Sequence, residues 1–141
     1  GIRYVERSRG LGDVYKRQGQ LVFYFILLMK KLPFPPTELT KKILETTSLA
    51  LSSYDLKHEI NANDPGIFLN NEKVASIGMR IKKNYSYHGL SINIDTDLDT
   101  FNSIKPCGLD VQACNLKDYI DINVDNFKKD LLNKFKRMLD K

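Results

Sequence analysis

The chain has 141 residues, a formal net charge of +5, 42% hydrophobic and 28% charged residues, two cysteines and no tryptophan. This length fits one domain, and the composition is that of an ordinary globular protein, which excludes wholesale disorder. Two cysteines exclude a disulfide framework, and Cys107 and Cys114 lack the short paired spacings of a structural zinc site.

The longest apolar run, Leu21 to Met29, falls short of the roughly 20 residues a spanning helix needs. No charged-then-apolar leader opens the chain, so a cytoplasmic protein without a membrane partner is expected. The basic residues fall in scattered doublets, Lys30-Lys31, Lys41-Lys42, Lys82-Lys83 and Lys128-Lys129, which read as solvated faces. No nucleic-acid-binding motif accompanies them, so no nucleic acid is expected as partner.

In chain order, Gln20 to Met29 is a β-branched and aromatic run between Gly19 and Lys30 and reads as a buried strand. Lys31 to Pro36 holds three prolines and is a connector. Thr37 offers an N-cap with Glu38 in the first turn. Leu39, Ile43, Thr46 or Thr47, Ala50 and Tyr54 then recur at spacings of three and four, predicting an amphipathic helix over 38–54. Asn61 to Gly66 is turn-rich. Ile67 to Leu69, Asn70-Asn71 and Lys73 to Ile81 predict a β-hairpin, because Asn tolerates left-handed turn geometry. Tyr85 to Asp95 is a further strand, with Leu90, Ile92 and Ile94 alternating towards one face. Asp99 to Ile104 suits a short helical turn and Pro106-Cys107-Gly108 a tight element. Asp125 is expected to cap a last helix in which Phe127, Leu131, Phe135 and Met138 share one side. The expected fold class is α/β (α+β), a mixed sheet flanked by helices, since the hairpin forces antiparallel pairing.

Few residues carry chemistry. Cys107 lies between Pro106, which fixes the approach of the chain, and Gly108, which lets a ligand come close to backbone amides. It is either a nucleophile supported by an amide oxyanion site or a small buried hydrophobe. Cys114 has no such setting and reads as structural. Lys73 is a surface lysine unless it lies near a thiol, whose pKa it would then lower. Gly78 and Gly89 fall inside strands, where each marks a ligand slot or a bulge. His88 is either a base or a hydrogen-bonded structural histidine. No Walker loop, metal-binding cluster or Ser-His-Asp signature is visible, so neither metal nor cofactor is expected.

Six elements occur in order and at matching spacing: Arg9-Gly10, Gly19-Gln20-Leu21, Pro65-Gly66-Ile67-Phe68, Lys73-Val-Ala-Ser-Ile-Gly78, His88-Gly89-Leu90-Ser91-Ile92-Asn93 and Pro106-Cys107-Gly108-Leu109. This series resembles the octanoyltransferases of lipoate biosynthesis, also called lipoyl(octanoyl) transferases or the lipoate-protein ligase B family. The resemblance implies a fold similar to the catalytic domain of biotin and lipoate protein ligases. It implies transfer of an octanoyl group from octanoyl-acyl carrier protein to a lysine of a lipoyl domain, with no cofactor. Expected acceptors are the lipoyl domains of 2-oxoacid dehydrogenases and the glycine cleavage H protein, and the expected state is a monomer. By the same resemblance Cys107 carries the acyl chain as a thioester, and Lys73 activates the thiol and helps deprotonate the incoming amine. Arg9, Gly10, Tyr15 and Lys16 fall in the substrate loop. Ser76, Ile77 and Gly78 with His88, Gly89, Leu90 and Ser91 line the acyl site.

The substrate loop departs from the family pattern. From Arg9 to Gln20 the length agrees, but Lys16 stands at the family's histidine and Arg17-Gln18 at its Gly-Pro; only Tyr15 coincides. Matching flanks around a foreign octapeptide point to a sequence error over Leu11 to Gln18, and this polypeptide is expected to be weak or inactive. The resemblance also implies that residues 1–141 form one catalytic domain lacking an N-terminal strand and helix. Two other readings are a catalytically impaired module that binds lipoyl domains or acyl carrier protein, and an ATP-dependent lipoate or biotin ligase.

Overall fold

The computed structural model describes residues 11–17, 19–61, 63–99 and 112–140, the first of these stretches by its backbone alone. Six strands form one sheet: β1 (Leu11–Arg17), β2 (Gln20–Leu28), β3 (Glu59–Asn61), β4 (Gly66–Leu69), β5 (Glu72–Lys82) and β6 (Tyr85–Asn93), in the order β1-β2-β6-β5-β4-β3. Every strand pairing is antiparallel. A parallel bridge between Lys73 and Ala113 makes the sheet mixed, and with the flanking helices this is the expected fold class.

Strand β2 is the centre of the core because its sequence alternates. Leu21, Phe23, Phe25 and Leu27 are buried on one side, while Tyr24 and Ile26 are exposed on the other. The buried side is covered by helices α1 (Leu39–Ser52) and α2 (Val124–Leu139). Phe135 of α2 is wholly buried against two strand residues. Its ring meets Phe23 at 5.4 Å and Phe25 at 4.9 Å, both edge to face. Among the described residues, no helix covers the opposite side of the sheet.

Octapeptide residues Leu11 to Arg17, read from sequence as a foreign loop, form β1 and pair with β2. The following turn requires glycine: Gly19 has φ 80°, and a Cβ there would come within 2.6 Å of the Thr96 backbone. Strand β3 was not expected, since its three residues are all exposed and carry no alternation. Helix α1 begins one residue later than its cap signal predicts. Pro36 opens a 3-10 turn that takes in Thr37, and the helix starts at Leu39 without a side-chain cap; it ends at Ser52, short of Tyr54. In α2 the cap is Asn123, whose Oδ1 accepts from Asn126 N–H at 3.0 Å, and Asp125 sits in the first turn. The expected stripe is present: Phe127, Leu131 and Phe135 are fully buried and Met138 packs at the margin.

The β4–β5 hairpin turns at Asn70 and Asn71, both left-handed at φ 49° and 66°. One β-bulge interrupts it. Gly66 pairs with Ser76 and Ile67 with Ala75, but Phe68 pairs with Lys73, leaving Val74 without a partner. The element expected over Asp99 to Ile104 lies almost wholly outside the described residues, and Pro106-Cys107-Gly108 lies entirely outside them.

Candidate active site

Cross-strand partners share a face, and along a strand the faces alternate. The bulge breaks that alternation once, with a chemical result. Val74 and Ala75 both enter the core, so Lys73 and Ser76, three positions apart, both lie on the open face. Lys73 extends over Gly66, where a Cβ would stand 2.6 Å from its Cε. Its Nζ donates to Asp64 Oδ1 at 2.6 Å and lies 5.6 Å from the centre of the Phe68 ring. Asp64 is itself positioned: Asn61 Oδ1 accepts from the backbone N–H of Asn63 and of Asp64, at 2.9 and 3.2 Å. The sequence marks Asn61 to Gly66 as a turn and Gly66 as part of the Pro65-Gly66-Ile67-Phe68 element, but nothing local marks Asp64 or Gly66 as neighbours of Lys73.

Gly66 also lies against backbone, since a Cβ would come within 2.5 Å of Ala75 O. We expect Gly66→Ala to cost about 1–3 kcal/mol through overpacking and to displace the lysine. Denaturant melts report the first effect. The second is read from any thiol chemistry that depends on Lys73, which should fall with the stability held above its threshold by temperature.

Further along the open face Ser76 pairs with Ser91 and Gly78 with Gly89. The ladder is unbroken there, so neither glycine is a bulge. Together they remove two side chains from one row. A Cβ on Gly78 would meet nothing within 4 Å, and one on Gly89 would touch only the Tyr24 ring at 3.6 Å. This leaves an open dent beside Tyr24, Ile26 and Tyr87. Ile77 and Leu90 belong to the same two motifs but point the other way, into the helix-covered core. Strand alternation therefore divides each expected triplet between the two faces.

His88 also belongs to the helix side. It is buried at 2% exposure, with Nδ1 2.8 Å from Ser86 Oγ and Nε2 3.2 Å from Thr40 Oγ1. Burial lowers its pKa from the ordinary 6.5 to about 4. The unfolded chain therefore binds this proton between about pH 6.5 and 4 while the folded chain does not, so stability present above pH 6.5 is lost as the pH falls through that window. The full effect is about 3 kcal/mol. His88→Gln should flatten the acid limb of a stability–pH curve, and an unchanged limb would remove this assignment.

Cys114 is 2% exposed, with Sγ 3.5 Å from Glu72 O. Burial first, then the Glu72 and Asp118 carboxylates, push its thiol up to about 12. It is therefore an inert thiol at neutral pH. The backbone around it matters more: Lys73 N–H donates to Gln112 O at 2.8 Å and Cys114 N–H to Lys73 O at 2.9 Å. Tyr15 and Lys16 occupy β1 positions opposite Val22 and Leu21. Arg9, Gly10 and Cys107 lie outside the described residues. Among the described residues, no group of three or more His, Cys, Asp or Glu side chains is gathered to hold a metal ion, and no helix is long and apolar enough to cross a membrane.

The chain is similar to known proteins in sequence and in fold. The model of the lipoyl protein ligase A/B catalytic domain matches residues 1–136. The chain belongs to that family. Among curated relatives, the octanoyltransferase of Saccharophagus degradans is 35% identical over 143 aligned positions, covering 98% of this chain and 65% of the relative. The chain thus spans just under two thirds of that relative's length. Among solved structures, a lipoate-protein ligase A bound with ATP superposes with a TM-score of 0.71 at 20% identity, over 92% of this chain and 56% of that one. The apo biotin protein ligase of Aquifex aeolicus superposes with a TM-score of 0.68 at 19% identity, over 89% and 57%. At those identities the two structures speak for the lipoyl protein ligase A/B fold alone.

Proposed function

We propose that the chain is the catalytic domain of an octanoyltransferase, moving an octanoyl group from acyl carrier protein to a lysine of a lipoyl domain through a thioester on Cys107. The observation that carries this reading is the placement of Lys73. The bulge turns it to the open face, and its backbone holds the chain segment that follows Cys107, through Gln112 and Cys114. Gln112 is five positions after Cys107, and an extended chain of that length spans at most about 18 Å. Connectivity therefore allows the thiol to approach the lysine, as this reading requires. Curated relatives named octanoyltransferase support the same activity.

The chemistry follows from two displacements at one carbonyl. The Cys107 thiolate attacks the carrier's thioester carbon, the new C–S bond forms, and the carrier sulfur leaves as a thiolate that takes a proton from the Lys73 ammonium group, leaving that lysine as a free amine. One thioester replaces another, so the step is close to isoenergetic. The acceptor lysine amine then attacks the acyl-cysteine, a C–N bond forms, the C–S bond breaks, and the amine's proton passes to Lys73 or to the departing sulfur. The amide is the stable product, so neither step needs ATP. Lys73 supplies positive charge beside the thiol in the first step. The dent at Gly78 and Gly89 gives the acyl chain a bed that side chains elsewhere on the face would occupy, and Ser76 and Ser91 border it.

The test is intact-protein mass spectrometry after mixing the chain with octanoyl-acyl carrier protein without ATP. An added octanoyl mass supports the transferase. Retained carrier binding with no adduct would reduce it to a binding module, and an adduct that requires ATP would make it a ligase.

A further inference from the structure

Two segments far apart in the sequence build the exposed end of the sheet. Residues 20–37 and 73–94 contain Lys30, Lys31, Lys73, Arg80, Lys82 and Lys83 and no Asp or Glu, in a chain whose net charge is only +5. Two of the doublets that look scattered in the sequence are neighbours in space. Leu28 pairs with Tyr85, and Met29 N–H donates to Asn84 O at 3.0 Å. Lys30 and Lys31 thus follow directly on the contact with the turn that carries Lys82 and Lys83. Arg80 stands one pleat back on the face of Lys82. All five side chains are exposed, and none joins an ion pair among the described residues.

Apolar groups are set between these charges. The cross-strand rows Ile26–Tyr87–Arg80 and Leu28–Tyr85–Lys82 share the open face. Ile26, Tyr85 and Tyr87 are 46%, 43% and 38% exposed. Lys83 takes the tip of the turn at φ 56°, where glycine or asparagine would sit without strain. Mutual repulsion, exposed apolar surface and a strained lysine at the tip are three local costs that the described structure does not relieve. A partner bringing carboxylates around a small apolar centre relieves the first two.

We propose that this end of the sheet docks an acidic protein partner, the carrier that delivers the acyl group, through an acidic segment with apolar side chains at its middle. The proposal rests on the transferase reading and gives that reaction its protein-recognition surface. The charges span two or three strands, a width of about 10–15 Å, which suits one helix face rather than a broad lipid surface or a duplex. Gly78 lies four residues from Lys82, about 13 Å along the strand. A partner seated on the cations therefore stands beside the dent, and its acyl arm can enter along the open face.

The test compares the chain with a variant in which Lys30, Lys31, Lys82 and Lys83 are all changed to Gln. Calorimetry measures binding of acyl carrier protein at low and high salt, and acylation of Cys107 is followed from octanoyl-acyl carrier protein and from octanoyl-pantetheine. Wild-type binding should weaken about tenfold or more with salt, and the variant should bind about tenfold more weakly at low salt with little salt dependence. Its rate with octanoyl-pantetheine should not change. Lys83→Asn alone should raise Tm while weakening carrier binding, which separates docking from folding. Equal carrier binding by wild type and variant overturns the docking surface while an adduct keeps the transferase. Carrier binding lost in the variant, with no adduct from either donor in wild type, keeps the docking surface and overturns the transferase. Wild-type affinity for phosphatidylglycerol vesicles or duplex RNA without affinity for the carrier overturns the proposal.

Discussion

Changing Cys107 to serine is expected to abolish the octanoyl adduct and to lower acyl transfer by about 10⁴-fold or more. The reason is chemical. A thiol beside a cation ionises near neutral pH and attacks a thioester without a separate base, whereas a serine hydroxyl needs one within hydrogen-bond reach. Among the described residues, that face carries Lys73 paired with Asp64 but no histidine: His88, the nearest along the sheet, lies on the helix side with both ring nitrogens engaged. Cys114 cannot stand in, because it is buried and its thiol is pushed up to about 12. A peptide map of the acylated protein should therefore carry the added mass on Cys107 alone. Persistence of the adduct in Cys107→Ser, or its appearance on Cys114, would remove Cys107 from the reaction.

The second large effect is structural. Phe135→Ala should cost about 3–5 kcal/mol, the range for deleting a wholly buried aromatic side chain that leaves a cavity. Phe135 is in contact with both Phe23 and Phe25, so its loss opens the seam between α2 and β2 and removes two edge-to-face ring pairs. Against a total stability of about 5–15 kcal/mol, this is a large share. Phe135→Leu, which keeps most of the volume, should lose less than half as much. Leu49→Ala, on an α1 residue that is 63% exposed, should change stability by about 0.5 kcal/mol or less. Urea midpoints for the three variants check the order, and an Ala variant at position 135 as stable as the parent would contradict the packing described.

The parts of this fold that periodicity controls were legible beforehand. Strands β2 and β6, the Asn70-Asn71 hairpin and the stripe of α2 all follow from alternation, turn chemistry or helical spacing within one segment. What could not be read depends on partners distant in sequence. Strand β1 exists because β2 pairs with it, and β3 is three exposed residues added to an edge. The helix caps moved too: to Glu38, which makes no side-chain capping bond, and to Asn123, as good a capping residue as the expected Asp125. At the site, the motifs named Lys73, Ser76 and the two glycines, but not which members of each motif share a face. Asp64 joins Lys73 across a strand pairing that no local pattern reveals, and Lys30-Lys31 meets Lys82-Lys83 only because β2 and the β5–β6 turn end side by side.

The unpaired residue at Val74 has a consequence for how chains of this kind can change length. A strand keeps parity: positions an odd number apart look in opposite directions, and Lys73 and Ser76 share a direction only because one residue drops out of step between them. Removing that residue would give a more regular ladder and would swing the ammonium group towards the core. Loops before Asn61 or after Lys82 can lengthen or shorten freely in this respect, while the four positions from 73 to 76 behave as a single indivisible unit. Gaps in an alignment that fall inside it therefore mark chains whose lysine looks the other way.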